Sequence, residues 1–241
     1  MRVAILSDIH GNLTALEAVI ADLQTTAPDL VLHGGDLADS GSSPLAVVDR
    51  IRELGWSGVM GNTDEMLVLP QSLEAFAAQS AAPAAIWNAI REIAAATRSL
   101  LGEERLTWLG GLPRTIIHEE FALIHASPES CWRAPSPQAT DAELEATYGS
   151  LERPIVVFAH THQPMIRPLS GPIRRLVNTG SVGLPYDGDP RASYLLLDEG
   201  QPTIRRVEYD MEKELQALAG CGLPGAAWTA KMLRSSSPQM P

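Results

Sequence analysis

The sequence is poor in cysteine and in long hydrophobic runs. It has 2 Cys among 241 residues, which is too few for a disulfide framework and is typical of a reducing compartment. No apolar run approaches the roughly 18 residues that a membrane-spanning helix needs. The first apolar stretch ends at Asp8, which is too early for a secretory signal peptide. We therefore expect a cytoplasmic protein without a membrane partner.

Positive charge is also scarce. The chain carries 18 Lys and Arg against 29 Asp and Glu, a formal net charge of −11 at pH 7. Such a field repels polyanions at long range, which argues against long nucleic acids as partners. A small anionic substrate stays compatible with this charge if a local cation reverses the field at one site. The 45% of apolar residues is enough for a globular core.

The first 64 residues follow a β-α-β-α-β pattern. Short apolar runs at 3–6, 30–33 and 56–60 each end in glycine or polar residues. Between these runs, apolar residues recur at steps of three and four, the spacing of amphipathic helices. The alternation predicts parallel strands whose polar termini gather at the carboxyl edge of one sheet.

The remainder divides into a helical insertion and a strand-rich half. Residues 66–112 are rich in Ala, Leu, Glu and Gln and predict two or three helices, forming a cap or a homo-oligomer surface. Residues 114–118 and 121–125 predict a β-hairpin, and 155–159 a fully apolar strand. The pattern therefore predicts an α/β fold with a helical insertion.

The domain organisation follows from these patterns. We expect a single domain over 1–220 that contains the insertion. We expect a C-terminal extension over 221–241 that is partly disordered, because its last residues are mostly Ser and Pro.

Seven potential metal ligands share one position in the pattern, just after the end of a short apolar run. They are Asp8, His10, Asp36, Asn62, His125, His160 and His162. Carboxylate, imidazole and amide oxygen together suit Mn²⁺, Fe²⁺, Zn²⁺ or Co²⁺. In Asp8-x-His10 and His160-x-His162, both side chains point the same way if the backbone stays extended. An Asp-x-His pair alone is more often a surface turn, and a His-x-His pair alone is about as often a turn as a ligand pair, but the whole set at successive strand ends favours one shared site.

These motifs resemble the five signatures of the calcineurin-like metallophosphoesterases. They are Asp8-Ile9-His10, Gly35-Asp36, Gly61-Asn62, His125 and His160-Thr161-His162. Residues 178–183 look like the loop that follows the last signature in the small bacterial and archaeal branch of the family. The resemblance runs from Met1 to about Asp198, and the insertion is weakly matched. It implies an αββα sandwich, in which two mixed β-sheets are flanked by helices.

The same resemblance implies a site for two divalent ions. Asp36 would bridge them, with Asp8, His10 and His162 completing one site and Asn62, His125 and His160 the other. Mn²⁺ is the first expectation, and Fe, Zn, Co or Ni are alternatives. The implied reaction is hydrolysis of a small phosphodiester or phosphomonoester by in-line attack of a metal-bridging hydroxide, with Asp36 as the bridging ligand of that nucleophile.

The sequence departs from the family pattern at one important position. Many members carry a His directly after the metal-binding Asn, where it assists the leaving group, and Thr63 stands there instead. A hydroxyl does not titrate near neutral pH and cannot replace that acid. We therefore expect a preference for good leaving groups. A smaller departure is Ala159, where the family commonly has Gly.

Other residues are assigned supporting roles. Arg133 follows His125 on a polar loop and is a candidate phosphate contact together with Asn62, although a solvated arginine is more common. Asp64 is expected to orient a ligand or the Asn62 turn, and Gly180 and Ser181 to support the ligands from the neighbouring loop. His33 is interpreted as a structural strand residue.

Two further classes of function stay open. The family also contains protein Ser/Thr phosphatases and nucleotide polyphosphate hydrolases, which would use the same site. It also contains scaffold proteins that bind partners without catalysis. Retention of all seven ligand positions argues against a scaffold, whereas Thr63 argues mildly for one.

Overall fold

Two five-stranded β-sheets form the centre of the computed structural model, which describes residues 1–241. The first sheet has the order β10-β9-β1-β2-β3. Its strands are β1 (Arg2–Leu6), β2 (Leu30–His33), β3 (Ser57–Gly58), β9 (Ala192–Asp198) and β10 (Gln201–Val207). Strands β1, β2 and β3 are parallel, and β9 and β10 are antiparallel additions. The predicted parallel strands are confirmed, although β3 is shorter than the apolar run at 56–60.

The second sheet has the order β4-β5-β6-β8-β7. Its strands are β4 (Thr115–Ile117), β5 (Phe121–Ile124), β6 (Ile155–Phe158), β7 (Met165–Pro168) and β8 (Arg175–Asn178). Strands β5, β6 and β8 run parallel, whereas β4 and β7 are antiparallel to their neighbours. The predicted hairpin is therefore confirmed as β4–β5, and both sheets are mixed.

Alternation along the strands separates the layers. Val3 and Ile5 of β1 pack against Phe121 and Val157 of the second sheet, in the core between the two sheets. Their neighbours on β1 point the other way, because successive side chains of a strand face opposite sides of the sheet. Leu6, for example, belongs to the cluster formed with the helices on the outer face. The result is the predicted sandwich of two mixed sheets with helices outside.

Helices cover the outer faces and form the insertion. On the first sheet lie α1 (Leu13–Thr26) and α2 (Pro44–Glu53), and on the second α6 (Asp141–Tyr148). The insertion consists of α3 (Asn62–Val68), α4 (Pro70–Ala77) and α5 (Ala84–Gly110), and α5 has a kink at Gly102, where φ is +67°. The prediction of two or three helices over 66–112 is confirmed. None of the helices has the length and apolar character needed to span a membrane.

The C-terminal segment differs from the expectation of partial disorder. After α7 (Met211–Gly220), residues 226–235 form α8 (Ala226–Ser235). Leu233 is 2% exposed and packs in a small core with Leu218 of α7 and Leu184. The segment that follows is tied back, since Trp228 Nε1 donates to the carbonyl of Gln239 over 2.8 Å. Composition alone missed this helix because its apolar face is short and a Ser- and Pro-rich tail follows it.

Candidate active site

The seven predicted ligands meet at the carboxyl ends of the parallel strands. Loops after β1, β2, β5 and β6 carry six of them, and Asn62 begins α3. Five have left-handed backbone conformations: Asp8 (φ +52°), His10 (+47°), Asp36 (+57°), His160 (+68°) and His162 (+56°). Such conformations are uncommon outside glycine and cluster at functional sites. The backbone of Asp8-x-His10 and His160-x-His162 is therefore not extended, contrary to the sequence-based expectation. Turns bring the paired side chains together instead.

Four of these residues form one tight cluster. One ligand atom each from Asp8, His10, Asp36 and His162 lies within 4.8 Å of the others, an arrangement that could hold a metal ion. His162 Nε2 is 3.3 Å from Asp8 Oδ1, and His10 Nε2 is 3.6 Å from Asp36 Oδ2. All four are at most 6% exposed. A dense set of acceptors is thus withdrawn from bulk water.

The other three residues converge on the opposite side of Asp36. Asn62 Oδ1 is 2.9 Å from His125 Nε2 and 2.8 Å from His160 Nδ1. Asp36 Oδ1 is 3.6 Å from His125 Nε2. Because Asp36 Oδ2 faces His10 and Oδ1 faces His125, its carboxylate lies between the two groups.

Hydrogen bonds to backbone carbonyls fix the imidazole tautomers. His10 Nδ1 is 3.0 Å from the Asp39 carbonyl, and His162 Nδ1 is 2.6 Å from the Leu184 carbonyl. A carbonyl only accepts, so each Nδ1 carries the proton and each Nε2 presents a lone pair. These two Nε2 atoms are 3.2 Å apart. Two facing acceptors need a proton or a metal ion between or beside them, and the Nδ1–carbonyl bond is the usual anchor of a metal-ligating histidine.

Two more observations fit a cation. His125 Nδ1 is 2.7 Å from the Gly34 carbonyl, so its Nε2 lone pair faces the Asn62 oxygen, again acceptor against acceptor. Asp8 Oδ1 is buried and has no hydrogen-bond partner. Buried carboxylate oxygens normally have partners, because an unpaired one is costly. The residues present therefore fit divalent metal ions on both sides of Asp36.

Burial and neighbouring charges shift the pKa values of Asp8 and His162 in opposite directions. Burial alone would raise the pKa of Asp8, but the surrounding imidazoles, His162 first, hold it well below its usual range. Burial would lower the pKa of His162, but Asp8 raises it above its usual value. Burial together with His162 lowers the pKa of His10, and burial together with His125 lowers that of His160 to about 4. Imidazoles with a lowered pKa are neutral at pH 7, the form that binds metals.

Asp64 ties the Asp36 loop to the start of α3. Its Oδ2 accepts from the backbone N–H groups of Asp36 and Gly61 over 2.8 and 3.0 Å, and its Oδ1 accepts from Leu37 over 3.0 Å. Burial, and then the charge of Asp36, raise the pKa of Asp64 to about 6. A Cβ atom on Gly61 would overlap Asp36 Oδ1, so this close approach requires glycine.

The loop after β8 supports Asp8. Ser181 Oγ donates to the Asp8 carbonyl over 2.7 Å, and Ser7 Oγ donates to Asp8 Oδ2 over 2.5 Å. Gly180, with φ +74°, leaves no room for a side chain beside Ser193. Gly180 and Ser181 thus lie directly behind the ligands, in the loop where the sequence analysis put them.

Thr63 and Arg133 have different surroundings. The Thr63 N–H donates to Asp36 Oδ1 over 2.9 Å, and its hydroxyl is buried without a hydrogen-bond partner. Arg133 is exposed, with its guanidinium 5.1 Å from the centre of the Phe76 ring and 3.0 Å from Gln79 Oε1. It does not line the cavity at the site, whereas Asn62 does. The structure therefore does not bring Arg133 together with the other candidate residues.

A cavity of about 630 Å³, including its open mouth, lies over the cluster. Among its lining residues are polar side chains next to Asp36, here called the polar wall: His10, Asp36, Asn62, His160 and His162. Large apolar side chains also line it and are here called the apolar wall: Met66, Ile90, Trp132, Tyr186, Trp228 and Met232. The apolar wall was not predicted from the sequence. Its members come from separate segments, and no local spacing connects them.

Comparisons of the sequence with known proteins identify its family. A sequence model of the calcineurin-like phosphoesterase superfamily domain matches residues 1–201. An uncharacterized protein of Methanocaldococcus jannaschii is 30% identical over 243 residues, covering 92% of this chain and 93% of that protein.

Solved structures extend the likeness to the fold. A metallophosphoesterase from Sphaerobacter thermophilus has a TM-score of 0.79 and 27% identity, covering 98% of this chain and 100% of that one. A hypothetical protein from Pyrococcus horikoshii OT3 has a TM-score of 0.81 at 19% identity, over 99% of each chain. Because the sequence match spans most of its length, the chain belongs to the calcineurin-like phosphoesterase superfamily.

Proposed function

We propose that the protein is a metal-dependent phosphoesterase that hydrolyses a small phosphodiester or phosphomonoester. The observation that supports this most is the set of facing acceptors around Asp36. The Nε2 atoms of His10 and His162 lie 3.2 Å apart, and Asp8 Oδ1 is buried without a partner beside them. This arrangement is unfavourable in an apolar core and favourable around cations.

The residues divide into two ligand sets. Asp8, His10 and His162 would hold one divalent ion, and Asn62, His125 and His160 the other. Asp36, whose oxygens face both sets, would belong to both. Bound divalent ions, Mn²⁺ being the first candidate, would supply neutralisation of the phosphate charge and a water of lowered pKa as the nucleophile for in-line attack.

Other groups hold the proposed ligands in place, and Thr63 limits the choice of leaving group. Backbone carbonyls hold the imidazoles through Nδ1, and Asp64 holds the Asp36 loop through three N–H groups. Thr63 offers no titratable group beside Asn62, so this position cannot protonate a leaving alkoxide. We therefore expect esters of acidic alcohols, such as nitrophenol, to be the better substrates.

Turnover of bis-p-nitrophenyl phosphate and p-nitrophenyl phosphate, with Mn²⁺ and with EDTA, tests the proposal. We expect hydrolysis of at least one ester with Mn²⁺ and none with EDTA. Asp36→Asn should lower kcat/KM by about 10³-fold or more, because one change weakens both ligand sets. Asp29→Asn is the matched control, since Asp29 is exposed and contacts the backbone N–H of Arg2, away from the site.

Two outcomes would contradict the proposal. Asp36→Asn with undiminished metal-dependent turnover would remove Asp36 from the reaction. Absence of turnover of both esters by a folded protein with two bound metal ions would instead favour a non-catalytic binding module.

A further inference from the structure

We infer that the apolar wall selects phosphoesters whose organic group is aromatic or otherwise apolar, and that it disfavours polyphosphates. This inference rests on the proposed function, since it concerns the organic group of the phosphoester, the part of the substrate that does not react. It concerns the apolar residues that line the cavity next to the ligand sets.

The apolar wall is built by segments outside the two sheets. Met66 and Ile90 come from helices α3 and α5 of the insertion, and Trp132 from the loop after β5. Trp228 and Met232 come from α8 at the other end of the chain. Three separate segments thus place large apolar side chains beside the polar wall, where an ester group would lie when its phosphate is held.

The Trp132 ring is fixed in position. Its Nε1 donates to Glu65 Oε2 over 2.5 Å, and its ring centre is 4.9 Å from that of Phe76. Glu65 is 8% exposed and also accepts from the Cys131 thiol over 3.1 Å and from Arg114. An aromatic ring that is already ordered contacts a ligand without losing rotamer freedom on binding.

Tyr186 joins the two walls. Its ring stacks on the His162 imidazole, with centres 4.4 Å apart and planes 13° from parallel, and its hydroxyl donates to Met232 Sδ over 3.3 Å. The apolar surface therefore begins directly beside a proposed metal ligand. An aromatic substituent one ester bond from phosphorus would reach this surface, whereas a methyl group would leave most of it uncovered.

The charges of the cavity argue against polyphosphates. None of the 15 lining residues is Lys or Arg, and Arg133 is turned away onto Phe76. Each additional phosphate of a polyphosphate would bring negative charge into a wall without cationic partners, in a protein whose net charge is −11.

A pair of diesters with the same leaving group tests the inference. Phenyl p-nitrophenyl phosphate and methyl p-nitrophenyl phosphate both release p-nitrophenolate, so only the spectator group differs. With Mn²⁺-loaded full-length protein, and after division by the uncatalysed rate of each ester, we expect kcat/KM to favour the phenyl ester by about tenfold or more. Trp228→Ala and Trp132→Leu should each lower this phenyl-to-methyl ratio by about threefold or more. Trp56→Ala, a half-buried tryptophan outside the cavity, should leave the ratio unchanged.

A binding experiment separates this inference from the proposed function. Calorimetric titration of the Mn²⁺-loaded protein should show phenylphosphonate binding about tenfold or more tighter than methylphosphonate, whether or not any ester is hydrolysed. If neither ester is hydrolysed, the proposed function fails and this titration still decides the preference of the wall. Equal turnover of both esters, equal affinity for both phosphonates, or faster turnover of diadenosine tetraphosphate than of the phenyl ester would overturn the inference.

Discussion

The two walls of one cavity are built by different means. The polar wall comes from short loops at strand ends and the start of α3, and residues such as His10 and His162 hold left-handed conformations there. Imidazoles of this wall are fixed by buried hydrogen bonds to backbone groups, as in the 2.6 Å contact of His162 with the Leu184 carbonyl. The apolar wall comes from helices and two loops, and it depends on packing of side chains such as Met66 and Trp228.

This difference indicates a division of tasks. Strained backbone and buried hydrogen bonds to backbone groups keep the ligand atoms in one geometry, which the proposed phosphoryl chemistry requires. Apolar packing is less directional and tolerates changes of shape, so the segments that carry it can vary without disturbing the ligands. We therefore expect changes behind the polar wall to lower turnover of every substrate, and changes behind the apolar wall to alter the choice among substrates.

Among residues behind the two walls, the largest effect should follow the loss of Asp64, behind the polar wall. Asp64→Ala leaves the N–H groups of Asp36, Leu37 and Gly61 without their acceptor, and outer partners of metal ligands commonly contribute 10- to 100-fold in activity or metal affinity. We expect kcat/KM to fall about 100-fold for phenyl and methyl esters alike. Asp64→Asn, which keeps one acceptor oxygen, should restore part of the loss, and Asp29→Ala should cause none. A fall confined to one ester would contradict the division of tasks.

The polar wall was predictable because its residues lie in local motifs. Asp36 and Asn62 each follow a glycine after an apolar run, and parallel strands bring such ends to one edge. The parallel strands β1–β3 of the first half and the β4–β5 hairpin were also predictable from alternation and from the short connections. The backbone conformation at Asp8 and His10 was not, because left-handed φ values at these residues depend on the loops packed around them.

The apolar wall was not predictable for a physical reason. Trp132 and Trp228 are far apart in sequence and meet only through tertiary packing. Helix α8 was hidden by a tail of polar composition, so Trp228 was placed in a partly disordered extension. Arg133 was a candidate phosphate contact because of its position after His125, but local sequence could not show that Phe76 and Gln79 hold its guanidinium.

A smaller effect should follow the loss of Glu65, behind the apolar wall. Glu65→Ala removes the acceptor of Trp132 Nε1 and of the Cys131 thiol, which frees the Trp132 ring. We expect the phenyl-to-methyl ratio of kcat/KM to fall about threefold. The Tm should fall by about 4 °C, the size expected for roughly 1–2 kcal/mol in a chain of this length. Glu65→Gln should restore most of the ratio, and the exposed Glu53→Ala serves as control. An unchanged ratio with a lowered Tm would show that Glu65 contributes to stability but not to the choice of substrate.

The smallest effect on turnover at neutral pH should come from His33, which belongs to neither wall. His33 ends β2, three residues before Asp36. It is fully buried, and both of its ring nitrogens lack hydrogen-bond partners. Its ring centre is 6.3 Å from that of Trp108 on α5. Burial lowers its pKa from 6.5 to about 4. The unfolded chain therefore binds a proton at a pH where the folded protein does not, and stability falls as the pH drops from 6.5 towards 4.

This pH dependence can be measured against a variant that lacks the group. Between pH 7 and pH 5 the pKa difference corresponds to a loss of about 2 kcal/mol in the free energy of unfolding. Urea unfolding in EDTA should show this loss in the wild type in excess of that in His33→Leu, because every other titrating group is common to both proteins. Identical losses would show that His33 gains a proton partner when folded. An excess of the expected size would make His33 a buried neutral residue that couples the sheet to the insertion without serving either wall.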